Sequence, residues 1–242
     1  MNKKMAISKV YRTRILWMLY LVPLALSLSP PSAYSSSVSY TYDTKHRLAN
    51  VVYSNGASLE FTYDETDNRL VKTSSEPTSS NYEDAEDGNI AGWEIYDNDP
   101  TGATIANVDD ADRGSKVIEL IGSATTNGYL LCNADGNYWN DTKFKVIEWS
   151  MKYSETFTVY IAVQTKDGFR YLYYTPTTTD NLGDGMYIHH GLGTDAMDGT
   201  WQTFRRDLEY DLKDAQPDNE IQAILGFLIE GSGRVDDIRT IE

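Results

Sequence analysis

From residue 82 to the end of the chain, short apolar-polar alternations recur, and turn residues interrupt them roughly every ten positions, the rhythm of a β-sandwich or barrel. The breaks fall at Asp87-Gly88, Thr101-Gly102, Arg113-Gly114, Asn127-Gly128, Asp135-Gly136, Asp167-Gly168, Gly183-Asp184-Gly185, Asp198-Gly199 and Gly231-Ser232-Gly233. The runs between them predict strands: GWEIYD, ATIANV, KVIELIG, GYLLC, FKVIEWSMKYS, TFTVYIAVQT, FRYLYYT, MYIHH, WQTFRRDL, EIQAILGFLIE and GRVDDIRTI. Only DLEYDLKDAQ reads as a short helix, stopped by Pro217. The expected fold class is all-β, an antiparallel sandwich over residues 82–242, preceded by a small β-hairpin module over 34–72.

That module carries an internal repeat. Tyr42-Asp43 returns as Tyr63-Asp64, and each copy runs on to a basic residue and a leucine, Arg47-Leu48 and Arg69-Leu70. Between the copies, VVYSNGASLEFTY predicts two short strands joined at Asn55-Gly56, since both residues tolerate positive φ. The polar stretch 73–81, rich in Ser and Thr, reads as a linker.

The first residues read as an address. Lys3, Lys4, Lys9, Arg12 and Arg14 precede the apolar run Ile15–Leu28, which gives way to SPPSA with Pro31 and Ala33 at −3 and −1 of a cleavage site. Basic, apolar and small in that order is the layout of a secretory signal over residues 1–33. The apolar run is shorter than the roughly 20 residues of a membrane span and holds Pro23, so no stable span is expected after cleavage. The expected location is outside a bacterial cell or on its surface.

Charge and cysteine content narrow the classes. The chain has 21 Lys+Arg against 36 Asp+Glu, net −15 over 242 residues. Removing residues 1–33 takes away five basic and no acidic residues, leaving 16 against 36, net −20. A phosphate backbone would be repelled, so nucleic acid is not an expected partner. Cys132 is the sole cysteine, so no internal disulfide can form; within GYLLC it reads as a small buried side chain.

Two resemblances follow from these residues. Residues 40–70 resemble the YD repeats of Rhs-type secreted proteins, roughly YxYDxxGRL around a central NG, with His46 and Asp67 where that family has Gly. Two copies are too few to close a shell. Residues 82–242 resemble the jelly-roll carbohydrate-binding modules attached to secreted bacterial polysaccharide-degrading enzymes. YEDAEDGNIAGWEIYD, GTWQTFRRDLEYDL and GFLIEGSGRVDDIRTIE carry that likeness in order. It implies a jelly roll, a polysaccharide partner and a structural Ca²⁺ where the first and last strands meet, with Glu83, Glu86, Asp112 and Asp237 as its ligands.

Strand alternation supplies the sugar site that the resemblance implies. Sugars stack C–H faces on aromatic rings and need polar groups at the rim. With Phe157, Val159, Ile161 and Val163 in the core, Tyr160 and Gln164 face the other way; Leu172 inward puts Tyr171 and Tyr173 outward, and Ile188 inward does the same for Tyr187 and His189. Those residues, with Arg170 near the edge, form the expected platform. Trp93, Trp149 and Trp201 read as core, and Trp139 in GNYWNDT as an exposed stacker. The leading function is non-catalytic polysaccharide binding. A jelly-roll lyase or hydrolase using His189, Tyr171 and Arg170 is the alternative, and an Rhs-like surface or adhesion protein the third reading. No nucleophile elbow, zinc motif or phosphate loop occurs, and adjacent His189 and His190 would face opposite sides of a strand.

Overall fold

The computed structural model describes residues 38–53, 57–75, 78–183 and 185–242. The leader at 1–33, the Asn55-Gly56 turn and Asp184 lie outside the described residues. Among the described residues no helix is long and apolar enough to cross a membrane.

The repeat segment is a four-stranded antiparallel meander of β1 (Val38–Tyr42), β2 (Leu48–Tyr53), β3 (Ser58–Tyr63) and β4 (Arg69–Ser75). The two Tyr-Asp copies make the same turn. Asp43 Oδ1 accepts the backbone N–H groups of Lys45 and Arg47, and Asp64 Oδ1 those of Thr66 and Asn68, at 2.8 to 2.9 Å. Each turn then forces one residue into the left-handed region, His46 at φ 63° and Asp67 at φ 68°. Gly would adopt that conformation without a Cβ clash. The equivalence corrects one alignment: Asn68, not Arg69, occupies the place of Arg47. Arg47 joins the turns, reaching Asp43 at 2.6 Å and Asp67 at 2.7 Å beneath a contact with the Tyr63 ring.

The segment read as a linker is largely strand. Residues 73–75 finish β4, and β5 (Ser79–Glu83) pairs with the last strand of the chain, Asn81 opposite Arg239. Its polar side chains hid a sandwich strand that alternation alone did not reveal.

The remainder is an antiparallel β-sandwich of the jelly-roll class. One sheet runs β14 (Gln202–Asp207), β10 (Val146–Tyr153), β16 (Gly233–Ile241), β8 (Ser115–Ile121) and β7 (Thr104–Asp110), with β5 also on β16. The other runs β13 (Tyr187–Gly191), β12 (Gly168–Thr175), β11 (Thr158–Thr165), β15 (Ile221–Glu230), β9 (Gly128–Leu131) and β6 (Trp93–Asp97). Every strand expected from sequence is present. Among the described strands only β12 and β13 pair in parallel. Alternate residues interdigitate between the sheets: Trp149 meets Tyr174 at 5.8 Å and Phe227 at 6.0 Å, and Tyr153 meets Phe157 edge-on at 5.3 Å. Removing rings of this size from water makes this layer the main source of stability.

Helix α1 (Leu208–Ala215) begins at Asp207, whose side chain caps Tyr210 N–H at 3.0 Å. It buries Leu208 and Leu212 and is latched by Asp211, which accepts two bonds from Arg206 and one from Tyr174 Oη.

Candidate functional site

The site grows from one tight hairpin. β11 and β12 are joined through Lys166 and Asp167, with Gly168 at φ 98° closing the turn, so Thr165 faces Gly168, Gln164 faces Phe169, Ala162 faces Tyr171 and Tyr160 faces Tyr173. Parallel pairing then sets Tyr187 beside Tyr171 and His189 beside Tyr173. Two transverse rows result on the face turned away from the other sheet: Tyr160–Tyr173–His189 and Ala162–Tyr171–Tyr187. The alternate residues Val159, Ile161, Val163, Leu172, Tyr174 and Ile188 belong to the inter-sheet core.

The rings of these rows form one contiguous surface. Tyr160 lies 5.6 Å from Tyr173, Tyr171 5.4 Å from Tyr187 with planes 17° apart, and Tyr173 4.7 Å from His189. Phe169 packs edge-on to Tyr171 at 4.7 Å and extends the patch. Tyr187 is 37% exposed, and Tyr160 and Tyr173 are half-buried. Tyr171 and His189 lie on this face as expected but are only 7% and 8% exposed, so they serve as its floor and not its contact surface.

The rings themselves contribute only neutral polar groups. Burial raises the phenols of Tyr171, Tyr173 and Tyr187 above their ordinary range, so each is a hydroxyl donor at neutral pH. Burial also lowers His189, against the pull of Asp180, and its Nε2 bonds Thr175 Oγ1 at 2.7 Å. His190 turns to the opposite side, with Nε2 3.1 Å from the Asp211 carbonyl.

Two expected members are elsewhere. Arg170 has the parity of Leu172 and Tyr174, so it points away from the platform; it donates to Gln216 Oε1 at 3.0 Å and to the carbonyls of Asp167 and Phe169. The group His189, Tyr171 and Arg170, on which the lyase reading depended, is therefore not assembled. Trp139 is a core residue stacked on Tyr82 at 3.6 Å, with planes 8° apart. Its exposed neighbour Tyr138 is near enough to Tyr171 to influence its hydroxyl. Tyr138 and Phe169 are the residues that sequence reasoning missed. For Phe169 the signal was available, since it shares parity with Tyr171; Tyr138 is turned outward by the burial of Trp139, which only the fold reveals. Trp93 and Trp149 are core as expected, while Trp201 is half-buried under the Arg113 guanidinium, 4.9 Å from its ring.

The carboxylates expected to hold calcium are not brought into one set. Glu83 is buried and accepts Ala85 N–H at 2.7 Å and Trp93 Nε1 at 2.6 Å. Glu86 accepts the Lys116 N–H, Asp112 pairs with Lys152, and Asp237 pairs with Arg113. Among the described residues no group of three or more His, Cys, Asp and Glu is arranged to hold a metal. The partners of the four residues here are cations and N–H groups.

No family model matches the chain, and no curated protein matches it. Among solved structures, it is similar to the family 11 carbohydrate-binding module of the cellulosomal cellulase Lic26A-Cel5E of Clostridium thermocellum, with 16% identity over 69% of this chain and 96% of that one, TM-score 0.41. It is also similar to a family 11 module from Clostridium thermocellum in complex with a β-1,3-1,4-mixed-linked tetrasaccharide, with 13% identity over 67% and 95% of the two chains, TM-score 0.36. A third likeness, to an exo-β-agarase, has 12% identity over 66% of this chain and 24% of that one, TM-score 0.31.

Proposed function

We propose that this chain is an exported, non-catalytic polysaccharide-binding protein whose ligand lies across the outer face of the β13–β12–β11 sheet. The observation that carries the reading is the contiguous surface of Tyr160, Tyr173 and Tyr187 over the buried Tyr171 and His189. A sugar chain presents C–H faces to such rings and hydroxyls to phenols and to Gln164, and a row three strands wide has room for several residues of polymer. One of the similar structures bears a tetrasaccharide, the same ligand class. Export is supported by the basic, apolar and small order of residues 1–33. A non-catalytic role is supported by the separation of Arg170 from His189 and by the burial of that histidine.

Affinity electrophoresis against mixed-linkage β-glucan, agarose, xylan and galactomannan tests this, together with an assay for new reducing ends and unsaturated sugars. The expected result is retardation by at least one polymer without turnover. Failure to bind any polysaccharide would return the protein to the surface-contact reading of its repeat module. Turnover abolished by His189→Ala would make it an enzyme.

A further inference from the structure

We infer that the aromatic face discriminates by charge: it accepts an uncharged polysaccharide and rejects chains that carry uronate or sulfate groups. This rests on the binding reading above and goes beyond it by naming the ligand class.

Basic residues are segregated between the two sheets. In the six strands of the β13–β12–β11–β15–β9–β6 sheet, Arg170 is the only Lys or Arg, and its side chain is turned from the platform toward Gln216. The other sandwich sheet carries Lys116, Lys152, Arg205, Arg206, Arg234 and Arg239, all paired within the fold: Lys116 with Asp109, Lys152 with Asp112, Arg205 with the Glu242 carbonyl, Arg206 with Asp211, Arg234 with Asp110 and Glu119, and Arg239 with Glu148. At the hairpin end of the platform, Lys166 reaches the Asp218 carbonyl.

What surrounds the rings is negative. Glu230 and Asp180 are close enough to act on Tyr187 and His189, and Glu94 on Tyr138. Burial keeps His189 itself neutral. The ring faces add the negative side of their quadrupoles. An anionic polymer laid here would lose hydration from its carboxylates or sulfates and meet no countercharge, against a chain of net −15. A neutral polymer incurs none of that cost and keeps the stacking.

The test uses polymers matched in backbone and differing in charge: hydroxyethyl- against carboxymethylcellulose, and dextran against dextran sulfate, with the wild-type chain. Affinity is measured at about 0.01 M and about 1 M salt, where the screening length falls from about 30 Å to about 3 Å. The expected result is binding to a neutral member at least about tenfold tighter than to its anionic partner at low salt, with the gap narrowing at high salt. Equal or tighter binding of the anionic member overturns the inference while leaving polysaccharide binding intact. So does a gap that salt does not change, which would make the rejection steric. If no polymer of either kind binds, the proposed function falls and this inference falls with it.

Discussion

At the scale of single residues, the telling groups are buried carboxylates that the fold holds in unequal states. Burial raises Glu83 from 4.5 to about 7, against the two N–H groups that it accepts, and burial together with the neighbouring Asp237 raises Asp236 from 3.8 to about 6, against Arg113. A carboxyl raised on folding stabilises the protein most when protonated. Its contribution is fully present below the unfolded value and is lost as pH climbs through the folded one. The urea midpoint should therefore fall from about pH 4 to about pH 7, more steeply below about 6, where both groups contribute, than between about 6 and 7, where only Glu83 does. Asp110 acts in the opposite sense: burial opposes its ionisation, but Arg234 and local N–H donors outweigh that and hold it at about 2, so its contribution is lost only in strong acid. The net acidity of the chain also favours lower pH, so the decisive comparison is Glu83→Gln. That variant should flatten the profile between about pH 6 and 7 and leave the decline below about 6 that Asp236 produces; an unchanged profile would remove Glu83 from the account.

Elements were the most legible level. Alternation and turn residues located β6 to β16 and α1, because side-chain parity and Gly-bearing turns are local properties. Parity also held for the platform, and Arg170 could have been excluded on the same ground, since it shares the side of Leu172. Three features were beyond local reading. β5 is polar and is a strand because β16 lies beside it. Trp139 is covered by Tyr82, 57 positions earlier, so its burial is a tertiary fact. Which acids meet cations and which stand together is likewise decided by strand order, and this dispersed the expected calcium set. The meander offers an element-scale prediction. His46 sits at φ 63° with no glycine to ease it, so His46→Gly should relieve left-handed strain of about 1–2 kcal/mol and add unfolded-chain entropy worth about half of that. The net gain expected is up to about 1 kcal/mol. Asp43→Ala should instead destabilise the turn, because the N–H groups of Lys45 and Arg47 lose their acceptor. Hydrogen exchange of Lys45 and Arg47 amides measures both effects; protection that rises in neither variant and falls in neither would show that the turn is not held this way.

On the whole-molecule scale, the sandwich has two dissimilar outer faces on one shared core. One is an ionic lattice of Arg113, Arg234, Arg239 and their acids; the other is aromatic, and among the described residues its strands direct no cation at the rings. Because the core lies between them, function and solubility can be altered separately. Tyr173→Ala and Tyr187→Ala truncate rings that are not part of the inter-sheet core, so each variant should fold with a near-native melting temperature. Each should lose about tenfold in polysaccharide affinity, about 1.4 kcal/mol, the scale of one ring's stacking contact. Arg239→Gln breaks the pair with Glu148 on the other sheet and should leave affinity unchanged. Ligand that binds the folded chain raises its melting temperature by mass action. At about 100 times Kd the gain is about 2.7 kcal/mol, or about 5–10 °C for a chain of this size. Wild type and Arg239→Gln should both show that shift with a neutral polysaccharide, and the double variant Tyr173→Ala/Tyr187→Ala, about 100-fold weaker, should keep only about 1 °C of it. A shift that survives in full in the double variant and disappears in Arg239→Gln would move the binding site to the ionic face.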